Sequence, residues 1–175
     1  MTDTEQSLLA LLRRALFGQD TPLPPDADWQ SIFEEAASHS VHLLVYDCLT
    51  ERERAALPKE TAALWRQEVL SAMWYNEQLL GEQQEVLKAL SGLPCVILKG
   101  SSSAACYPRP ELRCAGDIDL LLFPADVKKA EAILCAGGYC PPEDNHPFHR
   151  SMHREQFLVE LHFEPPGIPL GASGA

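Results

Sequence analysis

Two aspartates open an apolar, β-prone run near the middle of the chain, Asp117-Ile118-Asp119-Leu120-Leu121-Leu122. Side chains two residues apart on a strand project from the same face, so Asp117 and Asp119 should point out together. Neighbouring carboxylates repel each other, and a divalent cation bound by oxygen ligands, Mg²⁺ or Mn²⁺, removes that repulsion. Relief of the same repulsion predicts that Asp119→Asn keeps or raises folding stability without metal. A solvated pair of aspartates at the mouth of a strand is the alternative.

A third acid lies in a second apolar run, Phe157–Phe163, about forty residues later. Glu160 and His162 share one face of this predicted strand. If the two strands are neighbours, Glu160 joins the two aspartates. Three carboxylates can hold two metal ions about 3.5–4 Å apart, an arrangement used for in-line displacement at phosphorus. His162 could contact the metal or a phosphate, or it could simply be half-buried at the strand end.

A Gly-Ser turn follows a third short predicted strand, Cys95–Leu98, and reads Lys99-Gly100-Ser101. Glycine permits close backbone approach to a ligand, and exposed amides at the start of a helix favour phosphate. Ordinary helix capping by serine is the alternative for this turn alone. Strand, turn, helix, Asp-x-Asp strand and a later acid form an ordered combination that is more specific than any of its parts.

This combination resembles the uncharacterised nucleotidyltransferase family of the polymerase-β-like superfamily. The resemblance covers roughly residues 90–165 in detail, and its motifs are Leu98-Lys99-Gly100, Tyr107-Pro108, Leu112-Arg113, Asp117-Ile118-Asp119-Leu120-Leu121 and Val159-Glu160-Leu161-His162. Two features depart from the superfamily. The segment between Ser101 and Asp117 is longer than in most members, though it fits this branch, and the sequence ends soon after Glu160, where relatives continue into helices.

The resemblance implies transfer of a nucleoside monophosphate from an NTP to an acceptor hydroxyl, with release of pyrophosphate. It assigns Mg²⁺ or Mn²⁺ as cofactor. The implied catalytic, metal-binding residues are Asp117, Asp119 and Glu160, and the implied nucleotide-binding residues are Lys99, Gly100, Ser101 and Arg113. The alternative is a catalytically inactive nucleotide- or partner-binding module on the same fold. The residues do not identify the acceptor or the base.

The charge balance bears on the acceptor. The chain has 14 basic and 25 acidic residues, a formal net charge of -11. This balance argues against the broad phosphate-backbone footprint of nonspecific nucleic-acid binders, so a small molecule or protein is favoured as acceptor. A local basic rim of Lys99, Arg109 and Arg113 could still receive a triphosphate. No apolar stretch reaches the roughly 20 residues of a membrane span and the first residues start no signal peptide, so a cytoplasmic protein is expected.

The cysteines and histidines suggest one further, weaker site. Cys135 and Cys140, followed by His146 and His149, could make a zinc site, but their spacing matches no common finger. The remaining four cysteines form no CxxC pair. His146, His149 and His153 are expected in a loop between the two acid-bearing strands, where they could contact phosphate or an acceptor, or could be ordinary surface residues.

The predicted fold class is α/β (α+β), with a small mixed sheet flanked by helices. A helical N-terminal region (1–90) precedes a nucleotidyltransferase core (91–165) and a disordered or truncated tail (166–175). Apolar residues at three- and four-residue steps predict helices from Thr4 to Phe17, from Asp28 to about Leu44, and from Lys59 to Leu90. A further helix is predicted from Pro124 to Leu134.

Overall fold

The structure is a computed structural model that describes residues 2–142 and 146–164. The described residues form seven α-helices and a four-stranded sheet, in agreement with the predicted mixed fold and helical N-terminus. The helices are α1 (Asp3–Phe17), α2 (Trp29–Ser38), α3 (His42–Cys48), α4 (Glu51–Ala56), α5 (Lys59–Ala89), α6 (Ser101–Ala104) and α7 (Val127–Ala136). The strands are β1 (Cys95–Ile97), β2 (Ile118–Leu122), β3 (His149–Arg154) and β4 (Phe157–His162). No helix among these residues is long and apolar enough to cross a bilayer.

The chain divides into two compact units. The first consists of Met1–Glu77 and Ala104–Cys114, and the second of Gln78–Ser103 and Ala115–Ala175. The domain boundaries expected from the sequence, 1–90 and 91–165, stay a prediction. The expected disordered or truncated tail, 166–175, lies outside the described residues.

Helices with apolar stripes build the first unit around Trp65, which is fully buried. Leu11, Ile32 and Phe33 pack into the same core, and the Trp65 indole N–H donates to the His42 carbonyl at 3.0 Å. Two details differ from the sequence prediction. Helix α1 begins after Thr2, which forms a capping box with Glu5, rather than at Thr4. The helix predicted from Asp28 to Leu44 is interrupted because Ser40 adopts a left-handed conformation (φ 55°), which turns the chain between α2 and α3.

The sheet of the second unit has the strand order β1-β2-β4-β3. The central pair β2 and β4 is parallel, and both outer pairs are antiparallel. Side chains alternate between the two faces of each strand, and the apolar set faces the core. Its central members are at most 1% exposed: Ile118, Leu120, Met152, Val159 and Leu161. Burying each large aliphatic side chain contributes roughly 1.5–3 kcal/mol relative to leaving it exposed.

Strand β3 was not expected from the sequence, which predicts a loop from Pro141 to His153. The strand is polar even on its core-facing side, where Arg150 and Arg154 flank the buried Met152. Their guanidinium groups reach aromatic rings instead of ending in the core: Arg150 lies 5.2 Å from the Phe163 ring centroid, and Arg154 lies 4.9 Å from that of Tyr139. Arginine stems can cover apolar surface while the charged head stays in contact with polar groups or water. The usual apolar signal of a strand is therefore weak here.

Candidate active site

Three carboxylates converge at the adjacent strands β2 and β4. The parallel register places Asp119 opposite Glu160, and Asp117 immediately precedes β2. One oxygen from each of Asp117, Asp119 and Glu160 can be chosen so that all three lie within 4.8 Å of one another. We call these three residues the carboxylate cluster. The sequence analysis predicts this convergence if the two strands are neighbours. The parallel register, which places Asp119 opposite Glu160, explains it.

Asp119 is the buried centre of this cluster. Its side chain is 0% exposed, compared with 18% for that of Glu160. Its Oδ1 accepts a hydrogen bond from Lys99 Nζ at 2.9 Å and lies 2.9 Å from His162 Nε2. Its Oδ2 is buried and has no hydrogen-bond partner among the described residues. A buried acceptor without a partner costs about 1–3 kcal/mol, and more when it is charged.

The donor set fits a divalent cation. Carboxylate oxygens are the ligands that Mg²⁺ and Mn²⁺ prefer, and the cluster carries three acids. Lys99 and His162 both contact the same oxygen of Asp119, which leaves Asp119 Oδ2 without a protein partner. The acidic cluster could therefore hold a metal ion.

Lys99 is the basic residue in contact with the cluster. The hydrogen bond to Asp119 raises the pKa of its ammonium group, and the negative charges of Asp119, Asp117 and Glu160 raise it further, against the opposing effect of desolvation. About half of the Lys99 side chain is exposed, so solvent screens these interactions. The ammonium group stays charged at neutral pH.

The Gly-Ser turn follows β1, and its Ser101 is the first residue of α6. Gly100 adopts a left-handed conformation (φ +62°), and a Cβ atom there would lie 3.7 Å from the Asp117 carbonyl oxygen, an ordinary contact. The backbone angle, rather than crowding, therefore favours glycine at this position. The Ser101 hydroxyl donates to Gln83 Oε1 at 3.1 Å. A role of this turn in phosphate binding remains a prediction.

The other two basic residues of the predicted rim belong to the first unit. Arg113 follows a 3₁₀ turn, Pro110–Leu112, and its guanidinium donates to the Cys114 carbonyl at 3.2 Å. Arg109 pairs with Asp47 and with Glu111. The charge of Arg109 is thus partly neutralised by two acids. Nucleotide binding by Arg113 stays a prediction.

Comparison with known protein families gave a match over most of the chain. The model of the family described as "Uncharacterised nucleotidyltransferase" matches residues 25–166, which include all four strands and the whole carboxylate cluster. The chain belongs to this family. Comparison with curated proteins gave no match, and neither did comparison with solved structures. Membership supports a general role in nucleotidyl transfer, a reaction whose enzymes generally use divalent metals.

Two histidines lie beside the carboxylate cluster. His162 Nε2 lies 3.2 Å from Glu160 Oε2, and His149 Nε2 lies 3.7 Å from Glu160 Oε1. The His146 ring stacks on His149 with centroids 3.8 Å apart. The sequence analysis named His149 as a possible contact to phosphate or an acceptor, but it placed this residue in a loop and did not predict its position on β3 beside Glu160.

The remaining histidine and cysteine predictions have different outcomes. His153 is exposed on β3 and pairs with Leu158, so it lies in a strand rather than in the expected loop. Among the described residues, the groups that could hold a metal include neither Cys135 nor Cys140. The alternative zinc site is therefore not formed by Cys135, Cys140, His146 and His149.

Proposed function

We propose that this nucleotidyltransferase moves a nucleoside monophosphate from an NTP to an acceptor hydroxyl in a metal-dependent reaction. The observation that carries the proposal is the carboxylate cluster, with its oxygens within 4.8 Å and one buried oxygen of Asp119 unpartnered. A buried carboxylate oxygen without a hydrogen-bond partner is costly, so a cation bound beside Asp119 Oδ2 would stabilise the cluster.

In the proposed mechanism, Asp117 and Asp119 would hold the metal ions, Mg²⁺ or Mn²⁺. Glu160 either completes this ligand set or accepts the proton of the acceptor hydroxyl. Bound divalent cations would supply charge neutralisation at the triphosphate and a lower pKa for that hydroxyl. While His162 holds no metal, its Nε2 lies within hydrogen-bond distance of Asp119 and Glu160 and orients both carboxylates.

The chemical step is an in-line displacement at the α-phosphorus of the NTP. The acceptor oxygen forms a bond to this phosphorus, and the bond from phosphorus to the bridging oxygen of the β-phosphate breaks. Pyrophosphate leaves with the electron pair of that bond. The hydroxyl proton passes to the Glu160 carboxylate or, when Glu160 is a metal ligand, to water.

Lys99, Gly100 and Ser101, which all belong to the second unit, form the proposed nucleotide-binding set. Lys99 balances phosphate charge, and the backbone at Gly100 and Ser101 approaches the β- and γ-phosphates. Ser101 must exchange its hydrogen bond to Gln83 for one to phosphate if its hydroxyl takes part.

The net charge of -11 favours a small molecule or a protein over nucleic acid as acceptor. We propose the cytoplasm as the compartment of the reaction.

The test is nucleotidyl transfer by the purified chain, with α-labelled NTPs and Mg²⁺, assayed first for self-modification and then for pyrophosphate release with candidate acceptors. Asp117→Asn should lower transfer at least about a hundredfold, because metal stabilisation of the displacement is worth several kcal/mol. Asp126→Asn, an equivalent change outside the cluster, should leave transfer unchanged.

Equal activity of wild type and Asp117→Asn would contradict the proposed mechanism. Nucleotide binding that depends on Asp117, with no label transfer or pyrophosphate release for any NTP, would instead support the alternative of a nucleotide-binding module without turnover.

A further inference from the structure

Glu160 faces two different groups of side chains. Glu160 belongs to the carboxylate cluster with Asp117 and Asp119. The other group consists of His149 and His162, and one ligand atom from each of His149, Glu160 and His162 can be chosen so that all three lie within 4.8 Å. The two histidines approach different oxygens of Glu160, His149 at Oε1 and His162 at Oε2.

The histidine group has its own positional support. His149 on β3 is the register partner of His162 on β4, and their ring centroids lie 5.1 Å apart. The His146 ring stacks on His149 and restrains its orientation. His162 is 4% exposed, and its Nδ1 is buried without a hydrogen-bond partner. Hydrogen bonds within the described residues therefore do not fully account for the burial of this imidazole.

Ligand chemistry separates the two groups. Oxygen-only ligands suit Mg²⁺, whereas imidazole nitrogen suits later transition metals such as Co²⁺ and Zn²⁺. Two neutral imidazoles and one carboxylate together carry a single negative charge, and they form a ligand set for one divalent cation that differs from the three acids beside it. A metal that accepts both nitrogen and oxygen could be held there.

We propose that His149, Glu160 and His162 form a second metal site that selects a divalent transition metal over Mg²⁺. This inference rests on the proposed function only for the catalytic use of the metal, since binding itself depends on these three side chains. The consequence for the enzyme is a metal preference set by the histidines, with Glu160 common to both groups.

The experiment measures Co²⁺ and Mg²⁺ affinity of the tag-free full chain, without nucleotide, by competition with a chromophoric chelator. His149→Gln should weaken Co²⁺ binding at least about tenfold, since loss even of groups that only support a metal ligand costs 10–100-fold. Its Mg²⁺ affinity should change by less than about twofold, because oxygen ligands dominate Mg²⁺ binding. His153→Gln, on the same strand but outside the site, is the matched control and should bind Co²⁺ as wild type does.

Unchanged Co²⁺ affinity in His149→Gln, or an equal loss in His153→Gln, would overturn the second site. If His149→Gln fails to fold, NMR of the Co²⁺-loaded wild type decides: contact-shifted imidazole protons support the site, and their absence overturns it. Failure of the proposed function has a separate signature. In that case Mg²⁺-dependent NTP binding is missing from the wild type, while Co²⁺ binding still requires His149.

Discussion

Two sites in the second unit place a buried carboxylate in opposite electrostatic surroundings. At the first site, Glu82 on α5 accepts from the Tyr139 hydroxyl and is paired with Arg154, whose Nη2 lies 2.6 Å from Glu82 Oε2. We call Glu82, Tyr139 and Arg154 the structural network. At the second site, the carboxylate cluster, three acids face one another.

The difference lies in compensation of charge. Glu82 is 8% exposed in its side chain, and both its oxygens contact the Arg154 guanidinium. In the carboxylate cluster Lys99 and His162 converge on a single oxygen of Asp119, and no described residue forms a hydrogen bond with the other oxygen. A buried carboxylate with all its hydrogen bonds formed stabilises the fold. Clustered carboxylates with an unpartnered oxygen instead favour binding of a cation.

The largest stability effect is expected in the structural network. Glu82→Leu should lower the free energy of unfolding by about 3 kcal/mol, because removing one partner of a buried pair leaves the other charge uncompensated. Because Arg154 is partly exposed, we expect the low end of the roughly 3–5 kcal/mol that such a removal costs. Urea unfolding measures it, with Glu85→Leu, at an exposed site on the same helix, as control. Equal unfolding free energies for the two variants would contradict the assignment of Glu82.

A smaller loss is expected when the carboxylate cluster is altered without metal. Asp119→Asn should lower the free energy of unfolding by about 1–3 kcal/mol. The reason is that the buried Asp119 carboxylate accepts a hydrogen bond from Lys99 and lies beside His162. This reverses the expectation from the sequence, which considered only repulsion from Asp117. Urea unfolding in the presence of a chelator measures the change. Stability equal to or above wild type would show that repulsion outweighs these contacts.

The smallest effect concerns alkaline pH. Burial and the hydrogen bond to Glu82 raise the pKa of Tyr139 above its usual value of 10.0. The folded state favours the neutral phenol, so Tyr139 contributes to the free energy of unfolding below about pH 10. This contribution is lost as pH rises through the folded-state pKa. Wild-type stability should therefore fall more steeply above pH 10 than that of Tyr139→Phe. Lys99 titrates in both proteins, so the difference isolates Tyr139. Parallel pH profiles would contradict the prediction.

The sequence predicts the elements whose patterns are local. Strands β2 and β4 combine apolar alternation with single acids, and α5 has a long apolar stripe, so these elements and the face shared by Asp117 and Asp119 could be predicted. The adjacency of β2 and β4 could only be assumed, because strand order depends on contacts distant in sequence.

The features that were missed depend on long-range contacts. Strand β3 carries arginines that reach Phe163 and Tyr139, and its local pattern is that of a polar loop. Residues 104–114 join the helical unit because Leu112 packs with Leu43 and Leu44. Glu82 is indistinguishable in sequence from the surface acids of α5, since its partners Tyr139 and Arg154 lie far along the chain.

The most direct test of the account is thermal unfolding of the wild type, Asp117→Asn and the exposed-site control Glu155→Gln, each with and without Mg²⁺ and a non-hydrolysable NTP analogue. A ligand at about 100 times its Kd adds about 2.7 kcal/mol to the stability of the state that binds it. For a chain of this size that corresponds to a rise in Tm of roughly 5–10 °C. We expect this rise in the wild type and Glu155→Gln, and its absence in Asp117→Asn. An equal rise in Asp117→Asn, or no rise in the wild type, would contradict metal and nucleotide binding at the carboxylate cluster.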